Sequence, residues 1–247
     1  MDDLIFRCSS LHRLVGKAKS IDESLLNDET KAIKAKKKRT EGEQEILDNL
    51  LDMTLSSGAK ELVKEVLIEK KYGISKFTGN KYTKKGNIVE DDAIKFLMQT
   101  EFISAKKNTE RFCDGVISGE IDVYSNRIIY DTKCPWDFWS FPKFQDDIKE
   151  KSEDAGYHIQ QHGYIRLWRK NGFDVSHAEL KYIMMPTPDE LLGKYDDFYL
   201  HQDFVLALPN KDRIKTFKIE FDEKLDRLID TKIIAARKYA SKIFKEL

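Results

Sequence analysis

The sequence predicts an α/β (α+β) fold: a central mixed sheet with helices on both sides and helical additions at the N- and C-terminal ends. Three observations carry this. Apolar residues recur at helical spacing before and after the middle of the chain. Between them, residues 111–133 alternate apolar and polar side chains with the period of two of strands. A further strand-like run at residues 180–185 is stopped by Pro186 and Pro188.

Taken in order, residues 20–50 are dense in charge. Lys31, Lys34, Lys36, Lys37, Lys38 and Arg39 precede Glu41, Glu43 and Glu45, the pattern of a solvated helix or mobile arm and a candidate phosphate-tracking patch. Residues 59–71 place Leu62, Val63, Val66 and Leu67 on one helical face, and Gly73 closes that helix. A second helix is expected from about Asn87, with Val89, Ala93, Phe96 and Leu97 as its stripe. Glu90 lies on the flank of that stripe, where a carboxylate needs a partner.

Two strands follow, Ile121 and Val123 on the first and Ile128 and Tyr130 on the second, joined by a turn at Ser125-Asn126. If Tyr124 pairs with Arg127, Asp122 faces Ile129 and Glu120 faces Asp131. Glu120, Asp122, Asp131 and Lys133 then share one face, with the apolar residues on the other. Asp122 and Asp131 become diagonal neighbours about 7 Å apart, near enough to share one cation. A paired charge site with an adjacent ammonium suits phosphodiester hydrolysis: Mg²⁺ takes carboxylate and phosphate oxygens and lowers the pKa of its water, and Lys133 meets the developing charge. The plainer alternative is a salt bridge on a solvated hairpin.

The loop expected at residues 134–154 carries Trp136, Phe138, Trp139, Phe141 and Phe144, residues that either stack on bases or pack the loop onto the body. Residues 155–170 read as a helix whose face holds Tyr157, Gln160, Gln161, Tyr164, Leu167 and Trp168, with the Gln160 amide in need of a polar contact. His158 and His162, four apart without the acidic residue of a zinc-protease helix, read as a solvated pair. Residues 225–244 form a basic amphipathic helix.

Composition sets bounds without naming a partner. The chain has 247 residues, 40% of them hydrophobic, with 43 basic and 43 acidic side chains that cancel. It is long enough for a sizeable core, and global charge does not advertise nucleic acid. Cys8, Cys113 and Cys134 are odd in number and scattered, against a disulfide framework or zinc site and in keeping with a reducing cytoplasm. Nowhere do 18 consecutive apolar residues occur, so a soluble intracellular protein with no membrane partner is expected.

The ordered set is Glu90 on a helix, Gly119-x-x-Asp122 on one strand, Asp131-x-Lys133 on the next, and Gln160-x-x-x-Tyr164 on a following helix. This series resembles the PD-(D/E)xK nuclease superfamily, specifically its lambda-exonuclease, YqaJ-type and RecB-type branch. The resemblance covers roughly residues 84–188, including Lys85-Gly86-Asn87. More faintly, Arg7-Cys8-Ser9-Ser10-Leu11 is similar to the opening of viral exonucleases. It implies a restriction-endonuclease-like sheet and a single nuclease domain over 1–247. Residues 1–80 form its helical N-terminal part, 84–188 its core and 189–247 a strand and helix extension.

By position, the resemblance implies Asp122 and Asp131 as metal ligands, Lys133 as the catalytic lysine, and Glu90 as an outer ligand or water-holder. Gln160 and Tyr164 would support the site and the phosphate. Arg7, Ser9 and Ser10 would receive a terminal phosphate, and Trp136 and Trp139 would meet DNA. The implied cofactor is Mg²⁺, with Mn²⁺ able to substitute, and three cysteines leave no iron-sulfur cluster. The implied activity is a DNA exonuclease of a phage recombination type acting from duplex ends, in a host cytoplasm, with a single-strand annealing protein as partner and a homo-oligomer as assembly. A structure- or sequence-specific DNA endonuclease of the same superfamily and a non-catalytic nucleic-acid-binding module are the alternatives. One departure from the pattern is Asp131, where many relatives have glutamate.

Overall fold

The computed structural model describes residues 3–247. In chain order the elements are β1 (Phe6–Arg7), α1 (Leu11–Leu14), α2 (Asp28–Ala35), α3 (Glu41–Asp52), α4 (Ser57–Tyr72), α5 (Lys81–Thr100), β2 (Phe112–Cys113), β3 (Ile117–Gly119), β4 (Val123–Ser125), β5 (Ile128–Lys133), α6 (Gln145–Asp154), α7 (Tyr157–Lys170), β6 (His177–Ile183), α8 (Phe198–His201), α9 (Asp203–Ala207), β7 (Ile214–Ile219) and α10 (Glu223–Ile243). The chain packs as two compact units. One comprises Met1–Lys76, Gly115–Ile117 and Asp222–Leu247; the other comprises Phe77–Asp114 and Ser118–Phe221.

The first unit is helical. Its charged stretch is ordered rather than a mobile arm, because Asn27 and Thr40 each head a helix with a reciprocal capping box that satisfies orphan N–H groups of α2 and α3. Helix α4 begins at the Ser56 cap and ends at Gly73, whose φ of +69° is the left-handed conformation that favours glycine. Leu62, Val63 and Leu67 of α4 are buried in this unit, as are Leu11 and Leu14 of α1 and Ile229, Ile233 and Ala236 of α10. Lys232, also buried, donates to the Thr54 carbonyl at 2.6 Å.

The second unit holds a mixed sheet in the order β4-β5-β6-β7. Strand β4 is antiparallel to β5, β5 parallel to β6, and β6 antiparallel to β7. The parallel pair needs a crossover, which α6 and α7 supply. Helix α5 starts at the Asn80 cap, several residues before the position expected from its apolar stripe. It lays Val89, Ala93, Ile94 and Leu97 against Val123, Tyr130 and Ile183 on one face of the sheet. On the other face Leu180 and Tyr182 pack with Phe141 and Ile148.

The hairpin turn differs from expectation. Ser125 pairs with Ile128, Tyr124 with Ile129 and Val123 with Tyr130, so the turn is Asn126-Arg127. Both turn residues have positive φ, 51° and 66°, as the strand twist of a two-residue hairpin requires. Arginine is an unusual occupant, and its surroundings hold it: the guanidinium pairs with Asp174 at 2.7 Å, and its carbonyl accepts from the Ser176 N–H at 2.8 Å. The register moves by two residues, which leaves every side chain on the face expected of it, because strand side chains repeat with that period.

Candidate active site

Extending the hairpin register one step past Val123 sets Asp122 opposite Asp131, rather than diagonal to it. The backbone ladder stops there, and the Asp122 carboxylate accepts both the Thr132 N–H and the Thr132 hydroxyl at 2.6 Å each. Asp131 sits at mid-sheet, buried, with Leu180 of β6 beside it. Two residues on, Lys133 points the same way and its ammonium pairs with the Asp131 carboxylate. That ammonium also lies 5.2 Å from the centre of the Tyr157 ring on α7.

Burial and the neighbouring Asp131 charge push the Asp122 carboxyl up to about 6, against the pull of Lys133 and the two Thr132 donors. Burial works against the Lys133 ammonium, but the charges of Asp131 and Asp122 outweigh it and raise that group well above the ordinary lysine range. Two carboxyl groups and one ammonium are thus held together, with only 26% of the lysine side chain exposed. Carboxylates crowded in this way repel one another, and a small divalent cation relieves the repulsion.

Helix α7 supplies the roof. Gln160, buried, donates its amide N–H to the Tyr164 hydroxyl at 2.8 Å, the polar contact its position demanded. Tyr164 in turn is close enough to Lys133 to bear on its charge.

Among solved structures, a phage-related exonuclease from Haemophilus somnus 129PT is 35% identical to this chain, with a TM-score of 0.79 over 99% of this chain and 96% of that one. The chain belongs to the phage-related exonuclease family. An alkaline exonuclease from Laribacter hongkongensis shares the fold at 12% identity, with a TM-score of 0.60 over 99% and 92% of the two chains. The same enzyme in complex with dAMP superposes with a TM-score of 0.54. No protein-family model and no curated protein matches the chain.

Other positions singled out in this family member's sequence fall differently. Glu90 is not gathered with the two aspartates as a third ligand: among the described residues no three acidic, histidine or cysteine side chains form a metal-holding group. The reason is local. Helix α5 packs on the sheet face opposite Asp131 and Lys133, and Lys107 takes up Glu90 and Asp91 together at 2.6 Å each. Trp136 is packed rather than offered to bases, 7% exposed, with the Tyr82 and His201 rings edge-on at 5.5 Å and the Lys81 ammonium 4.4 Å from its own ring centre. Trp139 is 75% exposed beside Phe138 and Lys143. Part of the aromatic loop is a helix, α6, and Phe141 and Ile148 bury into the body.

His158 and His162 are not a solvated pair, since His162 is buried and stacks on Phe221 at 4.6 Å. Arg7, Ser9 and Ser10 belong to the helical unit, where Arg7 pairs with Glu69 and the Ser10 hydroxyl donates to the Arg7 carbonyl at 2.8 Å. Burial pushes the Cys134 thiol, next in sequence to Lys133, up to about 12, so it stays neutral.

Sequence reasoning gave Lys85 no role of its own. Its ammonium is fully buried and donates to the carbonyls of Pro135, Trp136 and Met185 at 2.6, 2.9 and 2.8 Å. Burial pulls it down to about 8. The lysine thus ties the chain leaving β5, two residues after Lys133, to the end of β6. A lysine in the first turns of an amphipathic helix ordinarily snorkels to water, so nothing in the sequence marks it.

Proposed function

We propose that the protein is a Mg²⁺-dependent deoxyribonuclease of the PD-(D/E)xK type that hydrolyses phosphodiester bonds from duplex ends. The observation that supports it most is the pairing of half-buried Asp122 opposite buried Asp131 with the Lys133 ammonium beside them. The donor set is all oxygen, and the adjacent thiol is held neutral, which fits a hard cation such as Mg²⁺, with Mn²⁺ a workable substitute. Asp122 and Asp131 would hold the ion. Bound there, it supplies positive charge to a phosphate oxygen and acidifies a water.

The chain's own residues do the rest. Thr132 fixes the Asp122 carboxylate through two donors, and Asp131 aims the Lys133 ammonium. Lys133, charged across the physiological range, places a cation where negative charge builds on the phosphate. Gln160 and Tyr164 form a linked donor pair on α7 suited to a non-bridging phosphate oxygen or to holding Lys133. Glu90, paired with Lys107 on a helix that packs on the sheet face opposite Asp131 and Lys133, takes no part in the reacting set. Arg7, Ser9 and Ser10 are assigned to a terminal phosphate and Trp139 to base stacking. A phage recombination role alongside a single-strand annealing protein, in a homo-oligomer, extends this reading, of which the 35% identity to a phage-related exonuclease supports the phage-type exonuclease part alone.

The test is digestion of linear duplex labelled at the 5′ or the 3′ end, with Mg²⁺ or with chelator, beside a covalently closed circle. Mg²⁺-dependent loss of one label first, with the circle intact, is expected. Cutting of the closed circle would make the protein an endonuclease, and digestion in chelator would remove the metal from the proposal.

A further inference from the structure

Helix α10 has two apolar faces, and the helical unit buries only one of them. Ile229, Ile233, Ala236 and Ala240 form the buried face. On another side Leu228, Thr231, Ala235 and Tyr239, at spacings of three, four and four, floor an open groove of about 960 Å³. Leu25, Met53 and Leu55 form part of its opposite wall. Ile234 stands at the lip with 70% of its surface exposed. Apolar surface kept open along a single helix marks a place where something docks.

Charge indicates what docks there. Lys224 and Arg227 stand at one end of the groove, and Lys60, Lys238 and Lys242 at the other. Three carboxylates also line it, Asp22, Glu45 and Asp52. Asp22 is already engaged, capping the turn that follows through the Ser24 N–H at 3.0 Å and the Ser24 hydroxyl at 2.8 Å. Lys60 and Lys242 bear on Asp22 and Arg227 pairs with Glu223 at 3.7 Å, yet five cations against three carboxylates leave the lining net positive around the apolar floor. From Lys224 to Lys242 the groove runs about 27 Å at the helical rise, the length of a helix of about eighteen residues.

We propose that this groove binds an amphipathic helix of a partner protein, with apolar side chains on its inner face and acidic residues towards both ends. A nucleic-acid backbone fits it less well. A uniform polyanion has no apolar groups for Leu228, Ala235 and Ile234, and Glu45 and Asp52 in the same lining repel it. A helical peptide sets its charges in register with the ends and its apolar side chains in the middle, the mode in which helices lie in hydrophobic grooves.

The probe is a synthetic fluorescein-labelled peptide of about eighteen residues, leucines at helical spacing and glutamates near both ends, titrated with the full chain and followed by anisotropy. Saturable micromolar binding is expected, weaker in high salt, and about tenfold weaker for Ile234→Asp and for the Lys238→Glu, Lys242→Glu double variant. A scrambled peptide of the same composition should bind about tenfold less tightly, because only the spacing differs. Both variants should keep the wild-type melting profile and DNA digestion, since these side chains lie on the surface.

No saturable binding, or equal binding of the scrambled peptide, overturns the proposal. A short DNA duplex whose own binding falls with the same substitutions would reassign the groove to nucleic acid. A change in sedimentation of the Ile234→Asp variant would reassign it to a second copy of the chain.

Discussion

Replacing Lys85 with methionine removes an ammonium from a fully buried position while keeping most of the side-chain volume. Two carbonyls, Pro135 and Met185, lose their lysine donor; Trp136 keeps the Thr187 hydroxyl at 2.7 Å. Each carbonyl left unpaired costs about 1–3 kcal/mol, so the gross loss is about 4 kcal/mol. Against this, the lysine is pulled from 10.5 down to about 8 by burial. At 1.36 kcal/mol per pH unit, about 3 kcal/mol is spent keeping it charged in the folded protein near neutrality. The net destabilisation of Lys85→Met near pH 7 is therefore small, about 1 kcal/mol.

The discriminating quantity is the pH dependence. The folded chain holds this proton less tightly than the unfolded chain, so between about pH 8 and 10.5 the unfolded state carries more protons and stability rises with pH. The wild type gains that increment and the methionine variant does not. The gap between them should widen by about 3 kcal/mol from below pH 8 to above pH 10.5. Urea unfolding of both proteins across this range, followed by tryptophan fluorescence, measures it. A gap that stays flat would refute the claim that Lys85 is a buried, charged clasp. Turnover on DNA should fall as well, since the released loop begins two residues after Lys133.

Three further outcomes concern the carboxylate pair. Asp122→Asn should abolish digestion yet raise metal-free stability well above pH 6 by about 3 kcal/mol, a gain that vanishes below pH 4, because the carboxyl is raised from 3.8 to about 6 in the fold. A lower melting temperature at neutral pH would contradict this. Lys133→Ala should lose turnover while binding Mg²⁺ at least as tightly by calorimetry, since it removes a competing positive charge; weaker metal binding would make the lysine part of the ion's support. Mg²⁺ affinity of the wild type should decline as pH falls through about 6, where Asp122 takes up a proton, and a Kd unchanged from pH 5 to 8 would refute the assignment of Asp122 as a ligand.

Much of the site was legible along the chain. Asp122, Asp131 and Lys133 share a face because strands repeat with a period of two, and a turn displaced by one residue, which shifts the cross-strand register by two, left that parity untouched. Gln160 and Tyr164 could be paired by the four-residue spacing of a helix, and they are hydrogen-bonded. Trp136 and His162 were not legible, because whether an amphipathic side chain faces water depends on what packs over it, here Tyr82 and His201 for the one and Phe221 for the other. The same holds for Glu90, whose distance along the chain from Lys107 hides the ion pair between them.

Local periodicity thus determined the order of strands and helices, the shared face of the two aspartates and the lysine, and the chemistry those residue types favour. Tertiary packing alone decided the pressure of Asp131 on Asp122, the capture of Glu90 by Lys107, the Lys85 clasp and the open groove on α10. The physical reason is range: pattern reports neighbours within a turn or a hairpin, whereas desolvation and charge pairing depend on segments that meet only in the folded chain.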